Sequence, residues 1–184
     1  YGYCVRREVF DNVLFQKAKS LVETRENFSV TDVIQENGFV VGVKGIDGKT
    51  KQSEEFRAKV VVGADGAISI VATKLGLSTH LSEHSIVAIR AYYEGVKNLT
   101  DNIEIHFIDG VLPGYFWIFP IEEGKCIVVI GMVTKELQKR GVKLDQLMFD
   151  AIKKNGLFKE RFKNAKLVGP VKGWNLPLGS TKRK

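Results

Sequence analysis

The chain has 184 residues, of which 44% are hydrophobic and 27% are charged, and its formal net charge is +7. These values are typical of a globular protein, and they exclude collagen-like, intrinsically disordered and disulfide-framework classes. The length suits one domain, or two small ones, with a hydrophobic core.

The first predicted elements are a helix and a meander of strands. Residues 7–24 are predicted to form a helix with one apolar stripe, because apolar residues recur at spacings of four, four and three: Phe10, Leu14, Ala18 and Leu21. Three strands are predicted next, at 30–36, 39–46 and 50–56, the last as an edge strand. Asn37-Gly38 predicts a two-residue hairpin turn, since both positions favour positive φ. Asp47-Gly48 predicts the second turn.

The next segment is predicted to be a buried strand that ends in a glycine turn. Val60, Val61 and Val62 form a short β-branched run, which is typical of a strand buried on both faces. A tight turn over residues 63–66 and a short helix over 69–75 are predicted to follow. Such a turn directs backbone N–H groups and a helix N-terminus towards an anionic group such as a pyrophosphate. The alternative is a tight turn that binds nothing.

The second half of the sequence predicts an antiparallel sheet with one amphipathic helix. Strands are predicted at 85–95, 103–108, 115–121 and 126–133, a helix at 144–155, and a returning strand at 167–176. Alternation along the third of these strands places Tyr115, Trp117 and Phe119 on one face. Three aromatic side chains on one face would form an apolar wall that suits a long hydrocarbon. The alternative is ordinary packing of these rings against the helix at 144–155.

Two segments resemble the FAD-dependent hydroxylases of the p-hydroxybenzoate hydroxylase type and their relatives. Gly63-Ala64-Asp65-Gly66, with Ser69 and Val71 after it, resembles the second fingerprint of that superfamily. The pattern from Arg7 to Ala18 resembles the helix that precedes the meander in the same proteins. The order of helix, meander, strand, turn, helix and antiparallel sheet also agrees.

A third segment narrows the resemblance to one branch of the superfamily. Residues 113–120, Pro-Gly-Tyr-Phe-Trp-Ile-Phe-Pro, resemble the Tyr-x-Trp-x-Phe-Pro motif of the geranylgeranyl reductase branch. Flavin-dependent halogenases carry a related Trp-x-Trp-x-Ile-Pro motif, from which this chain differs at the outer positions. The resemblance covers nearly all 184 residues as the middle part of a longer protein.

The resemblance implies a fold class of α/β plus α+β and a division into two partial domains. Residues 1–80 would be part of a Rossmann-like FAD-binding domain with a β-meander, without the N-terminal Gly-x-Gly-x-x-Gly unit. Residues 81–184 would be most of a substrate domain, an antiparallel sheet with helices on one face. The resemblance implies FAD as the cofactor and the following contacts: Arg7, Gly63, Ala64, Asp65 and Gly66 with FAD, and Tyr115, Trp117 and Phe119 with substrate.

The implied function is that of an FAD-dependent oxidoreductase acting on an apolar, isoprenoid-like substrate, with geranylgeranyl-type double-bond reduction as the leading case. An FAD-dependent aromatic hydroxylase (monooxygenase) and a non-catalytic lipid-binding or interaction domain remain the alternatives. The electron donor, a reduced pyridine nucleotide or another reductant, stays open. No residue is identified as a catalytic acid or base. The chain by itself is expected to be inactive and not to hold FAD tightly.

Other partners are not expected from the sequence. The basic residues are scattered and no nucleic-acid-binding motif accompanies them, so no nucleic-acid partner is predicted. His80 and His84 are spaced like zinc ligands but lack the accompanying glutamate, so no metal site is predicted. The strongest apolar run, residues 126–132, has the length of a strand, so no transmembrane helix is predicted. Two distant cysteines favour a reducing compartment, the cytoplasm, and a lipid substrate would bring peripheral contact with a membrane.

Overall fold

The computed structural model describes residues 2–78, 82–122 and 124–180. These residues divide into two compact units, 11–78 in one, and 2–10 with 82–180 in the other. The predicted domain boundary between residues 80 and 81 lies outside the described residues. In chain order the elements are α1 (Arg7–Lys19), β1 (Phe28–Glu36), β2 (Phe39–Asp47), β3 (Ser53–Arg57), α2 (Ile70–Lys74), β4 (Ser85–Glu94), β5 (Glu104–His106), β6 (Tyr115–Glu122), β7 (Lys125–Val133), α3 (Thr134–Arg140), α4 (Leu144–Lys154), α5 (Lys159–Phe162) and β8 (Lys166–Pro177).

The smaller unit is built on the predicted meander. Strands β1, β2 and β3 pair in that order, and both pairings are antiparallel. Asn37 and Gly38 have φ values of 50° and 81°, which confirms the predicted hairpin turn. In the second turn the Asp47 carboxylate accepts hydrogen bonds from the backbone N–H groups of Lys49 and Thr50, both at 2.8 Å. The third strand lies at an edge, as predicted.

The prediction of a buried strand at residues 59–63 is wrong for this chain. The segment lies outside the helices and strands, and Val60 and Val62 are 75% and 81% exposed. A strand needs a neighbour that supplies hydrogen bonds, and no strand among the described residues pairs with this segment. The valine run therefore has the composition of a buried strand but not its surroundings.

Helix α1 is shorter than predicted and its apolar stripe is not buried. The helix ends at Lys19, and the N–H groups of Leu21 and Val22 in the turn after it donate to the carbonyl of Ala18. Phe10 and Leu14 are 49% and 55% exposed. The predicted helix is thus correct in position and too long at its C-terminal end.

The larger unit contains a five-stranded antiparallel sheet in the order β5-β6-β7-β4-β8. This confirms the predicted sheet and the returning strand, β8, which pairs with β4. Short helices α3 and α5 were not predicted. No helix among the described residues is long and apolar enough to cross a membrane.

The hydrophobic core lies between one face of this sheet and helices α4 and α5. Phe116 and Ile118 of β6 are fully buried there with Met148 of α4. Phe116 stacks on Phe158 with ring centroids 4.6 Å apart. The predicted apolar face of α4 is confirmed by its buried members: Leu144, Met148, Ala151 and Ile152.

A partly buried ion pair fastens α5 to the edge strand β5. Both Arg161 Nη atoms donate to the Glu104 carboxylate, at 2.6 and 2.7 Å, and Arg161 Nε donates to the Lys97 carbonyl at 3.1 Å. Both charged side chains are less than one-fifth exposed. His106 Nε2 lies 3.0 Å from the same carboxylate. The pair satisfies two charged groups that would otherwise be partly desolvated without a partner.

We predict that Glu104→Gln lowers the free energy of unfolding at neutral pH by about 2–4 kcal/mol, because Arg161 loses its charged partner. The hydrogen bonds from Arg161 lower the pKa of Glu104. A lowered carboxyl pKa stabilises the fold above the unfolded pKa of about 4.3, and this contribution disappears as pH falls through the folded value. The variant should therefore lose less stability than the wild-type chain on acidification.

Urea titrations at neutral and acidic pH measure both effects. Glu83→Gln, which removes an exposed ion pair with Lys135, is the matched control and should leave the stability almost unchanged. A Glu104→Gln loss no larger than that of the control, or an unchanged pH dependence, would contradict the assigned role.

Candidate functional site

Three aromatic side chains form a continuous row along one face of β6. The rings of Tyr115 and Trp117 have centroids 4.8 Å apart and are tilted by 34°. The rings of Trp117 and Phe119 are 6.2 Å apart and tilted by 40°. All three side chains remain partly accessible to solvent. The structure thus brings together the three residues that the sequence assigned to substrate.

The alternative expectation, that these rings pack against α4, is wrong. Successive residues of a strand alternate between faces, and the side chains that meet α4 are those of Phe116 and Ile118. Tyr115, Trp117 and Phe119 occupy the opposite face, which we call the aromatic face of the sheet.

Small residues on neighbouring strands form the floor of the aromatic face. Tyr115 pairs with Gly131 of β7, which in turn pairs with Ala88 of β4. A Cβ atom at Gly131 would lie 3.5 Å from Trp117 Cη2 and 3.4 Å from the Ala88 Cβ. The absence of a side chain at Gly131 therefore leaves a shallow depression beside the Trp117 indole.

Further exposed apolar side chains border the aromatic face. Phe107, 70% exposed, lies with its ring centroid 6.1 Å from that of Tyr115. On β8, Trp174 and Leu176 are 60% and 45% exposed and pair with Ala88 and Ile86 of the same face. An exposed apolar surface of this extent is typical of a site that binds an apolar ligand or partner.

The glycine turn at residues 63–66 has a different construction from the one predicted. The Asp65 carboxylate accepts hydrogen bonds from Ser69 Oγ at 2.5 Å and from the backbone N–H groups of Ile70 and Val71 at 2.7 and 3.3 Å. The Ser69 hydroxyl, followed by the Val71 and Ile70 N–H groups, lowers the Asp65 pKa. The expectation that the first N–H groups of α2 face a pyrophosphate is therefore wrong, because Asp65 occupies them.

The two glycines of this turn have separate roles. A Cβ atom at Gly63 would lie 2.9 Å from the Val71 Cβ, so glycine is required there for the turn to pack on α2. Gly66 has a φ of 85°, and a Cβ atom there would meet nothing within 4 Å. The backbone at Gly66 is thus open to a ligand, whereas that at Gly63 faces its own helix.

The other residues singled out in the sequence are Arg7 and the histidines His80 and His84. Arg7 is the first residue of α1, is exposed, and belongs to the larger unit by its contacts, whereas residues 63–66 belong to the smaller one. His84 Nδ1 lies 2.7 Å from Ser180 Oγ, and His80 lies outside the described residues. Across residues 2–78, 82–122 and 124–180, no three His, Cys, Asp or Glu side chains are arranged to hold a metal ion.

Sequence reasoning missed two residues of the aromatic face. Arg90 and Tyr92 lie on this face of β4, and the guanidinium carbon of Arg90 lies 4.8 Å from the Tyr92 ring centroid. The available signal was an arginine in the middle of a strand that is otherwise apolar from Ile86 to Tyr93. A charged residue in a central strand is unusual unless it faces solvent or a ligand.

No family model matches the chain. Among known proteins it is similar to a digeranylgeranylglycerophospholipid reductase from Methanosarcina acetivorans, with 34% identity over 176 residues, which cover 94% of this chain and 41% of that protein. A second protein of that description, from Methanococcoides burtonii, is 32% identical over 84% of this chain and 38% of its own length. The chain spans about two-fifths of the length of these relatives. They confirm the predicted resemblance to geranylgeranyl reductase-type oxidoreductases.

Solved structures confirm the predicted fold class. A geranylgeranyl bacteriochlorophyll reductase-like protein from Thermoplasma acidophilum superposes with a TM-score of 0.80 at 24% identity, over 93% of this chain and 42% of that one. A triple mutant of the flavin-dependent brominase Bmp2 superposes with a TM-score of 0.73 at 26% identity, over 93% and 44%. The fold is therefore shared with a reductase-like protein and with a flavin-dependent brominase.

The two faces of β6 predict losses of stability of different size for substitutions at neighbouring residues. Phe116→Ala should lower the free energy of unfolding by about 3–5 kcal/mol, because it leaves a cavity in the core. Trp117→Ala should cost at most about 2 kcal/mol, since its indole covers only a sheet surface. Urea denaturation of both variants checks the assignment, and equal losses would contradict it.

Proposed function

From the homology to digeranylgeranylglycerophospholipid reductases, we propose that the chain is part of an FAD-dependent reductase that saturates double bonds of an isoprenoid lipid. The observation that carries this proposal is the aromatic face, a partly accessible row of three rings on the side of the sheet opposite the core that α4 covers. A hydrocarbon chain needs a broad apolar surface rather than a few directional polar groups.

In this proposal the residues of the aromatic face bind and orient the hydrocarbon. The rings of Tyr115, Trp117 and Phe119 lie side by side along β6, so a linear chain can contact them in succession. Aromatic rings provide large contact areas and lose little side-chain entropy on binding. A hydrocarbon that covers the face also excludes water from the reacting double bond. This exclusion is the main contribution of the protein to the chemistry.

The residues around the glycine turn fit FAD in part. The open backbone at Gly66 can accept a close approach, whereas the N–H groups at the start of α2 are already bound by Asp65. A phosphate there would meet a carboxylate of the same charge, so we place the phosphates elsewhere. In our proposal Gly66 and Ala64 contact FAD, Asp65 and Gly63 hold the turn in shape, and the bound flavin supplies the redox chemistry.

The FAD contact assigned to Arg7 rests on the resemblance of its helix alone. Arg7 begins α1 and is exposed. A guanidinium group suits a phosphate because its N–H groups match two phosphate oxygens. We therefore propose Arg7 as a contact to the phosphate side of FAD in the whole protein.

The surroundings of Trp117 favour an apolar substrate over a small polar aromatic one. Its partners on the neighbouring strands are Ile105 and Val129, both aliphatic. A hydroxylase of phenolic substrates would need hydrogen-bonding groups at these positions. A non-catalytic lipid-binding domain would share the apolar face but would lack flavin, so the absorbance spectrum of the whole protein separates that alternative.

We predict that Trp117→Ala in the whole protein raises the Kd for an isoprenoid ligand about tenfold, because about 1.4 kcal/mol of apolar contact is lost. The Kd for FAD should change less than twofold. Both constants can be measured by titrating the apoprotein with FAD and the holoprotein with geranylgeraniol.

The matched control is Phe39→Ala, which removes an aromatic side chain that is 74% exposed on the smaller unit. This control should leave both dissociation constants unchanged. Parallel losses of FAD and ligand binding in Trp117→Ala would indicate misfolding, and unchanged ligand binding would contradict the role of the aromatic face.

A further inference from the structure

A cavity of about 260 Å³ opens at one end of the aromatic face. Ile121, which continues the row of Tyr115, Trp117 and Phe119 along β6, is part of its lining. The charged lining residues come from four strands and the chain before and within α1: Arg6, Glu8, Arg90, Glu122, Lys125 and Lys172. Four cations against two carboxylates give the cavity a positive charge.

Two of these cations have their charge already compensated. Arg6 Nη1 lies 3.4 Å from Glu8 Oε1, and Lys125 Nζ lies 2.9 Å from Glu122 Oε1. Within residues 2–78, 82–122 and 124–180, no carboxylate forms an ion pair with Arg90 or Lys172. The uncompensated positive charge of the cavity is thus concentrated on neighbouring strands β4 and β8.

The position of Arg90 leaves its hydrogen-bonding groups available. Its guanidinium carbon lies over the Tyr92 ring at 4.8 Å from the centroid. The N–H groups of a guanidinium lie in its own plane, where they match two oxygens of a phosphate. Lys172 pairs directly with Arg90 across the sheet, so both cations lie on the same face.

A bulge in β8 makes room for a ligand beside these cations. Arg90 pairs with Lys172 and Tyr92 pairs with Val168, so three residues of β8 face a single residue of β4. Gly169, with a φ of 75°, allows this bend, and Gly169 and Pro170 line the cavity. The cavity is therefore a feature of the strand pairing rather than of a surface loop.

The register of the sheet connects this cationic pair to the aromatic row. Trp117 pairs with Val129, and Val129 with Arg90, so Trp117 and Arg90 lie two strand spacings, about 10 Å, apart on the same face. A molecule that lies along the aromatic row and reaches the cavity would meet apolar contacts first and cations at its end.

We propose that Arg90 and Lys172 bind a phosphate group attached to the isoprenoid substrate and thereby fix the direction in which the chain lies on the aromatic face. This inference rests on the proposed function, because it requires the face to hold a hydrocarbon. The ligand class is a phosphate ester linked to an apolar chain, as in a phospholipid or a prenyl phosphate.

The test compares two ligands with the same hydrocarbon in the whole protein, geranylgeranyl phosphate and geranylgeraniol. The wild-type protein should bind the phosphate at least tenfold more tightly at low ionic strength, and salt should weaken that preference. Arg90→Met and Lys172→Met should each reduce the ratio of the two affinities several-fold, and the double variant should abolish it. Arg90→Lys should restore part of the ratio, because it retains the charge.

Lys153→Met, an exposed lysine of α4, is the matched control and should leave the ratio unchanged. An unchanged ratio in the double variant would overturn the phosphate assignment while leaving the proposed function intact. Failure of the wild-type protein to bind either ligand would overturn the proposed function itself. Inorganic phosphate that competes as strongly as geranylgeranyl phosphate would overturn the link to the lipid, since the cavity would then bind free phosphate.

Discussion

The alternation of side chains along the central strands of the five-stranded sheet is the constraint on which the larger unit depends. One set of side chains, including Phe116, Ile118 and Ile130, forms the core with α4. Because these buried side chains form the core by themselves, the side chains on the opposite face can be aromatic or charged without loss of the fold. The aromatic face is the consequence, and the ion pair between Glu104 and Arg161 keeps the helical layer on the opposite side.

Local sequence patterns predicted those elements whose partners lie close in the chain or whose turns are encoded by specific residues. Asn37-Gly38 placed the meander, and strand-like runs separated by short turns placed the strands of the larger sheet. The failures share one cause. Val60 to Gly63 has the composition of a buried strand, and α1 has an apolar stripe, but burial depends on neighbours that are not encoded in the segment itself. The two unpredicted helices, α3 and α5, are too short to show a helical period.

In the candidate site, too, sequence patterns predicted some residues and missed those that only the folded structure brings together. The row of Tyr115, Trp117 and Phe119 follows from a period of two, so sequence reasoning found it. Arg90 and Lys172 are separated by some eighty residues, and only the pairing of β4 with β8 brings them together. The capping role of Asp65 was also hidden, because its hydrogen-bond partners depend on how the turn folds back onto α2. Composition identified the turn as special, whereas geometry showed that its carboxylate is bound within the chain.

The central claim is that a hydrocarbon chain lies on the aromatic face, and photo-crosslinking tests it most directly. Both tryptophans of the chain, Trp117 and Trp174, occupy this face. A geranylgeranyl probe that carries a diazirine, irradiated with the whole protein and mapped by peptide mass spectrometry, should label residues 115–121 and 174–176. Competition with unlabelled geranylgeraniol should remove this labelling. Labelling confined to α4, or distributed evenly over the surface, would contradict the claim.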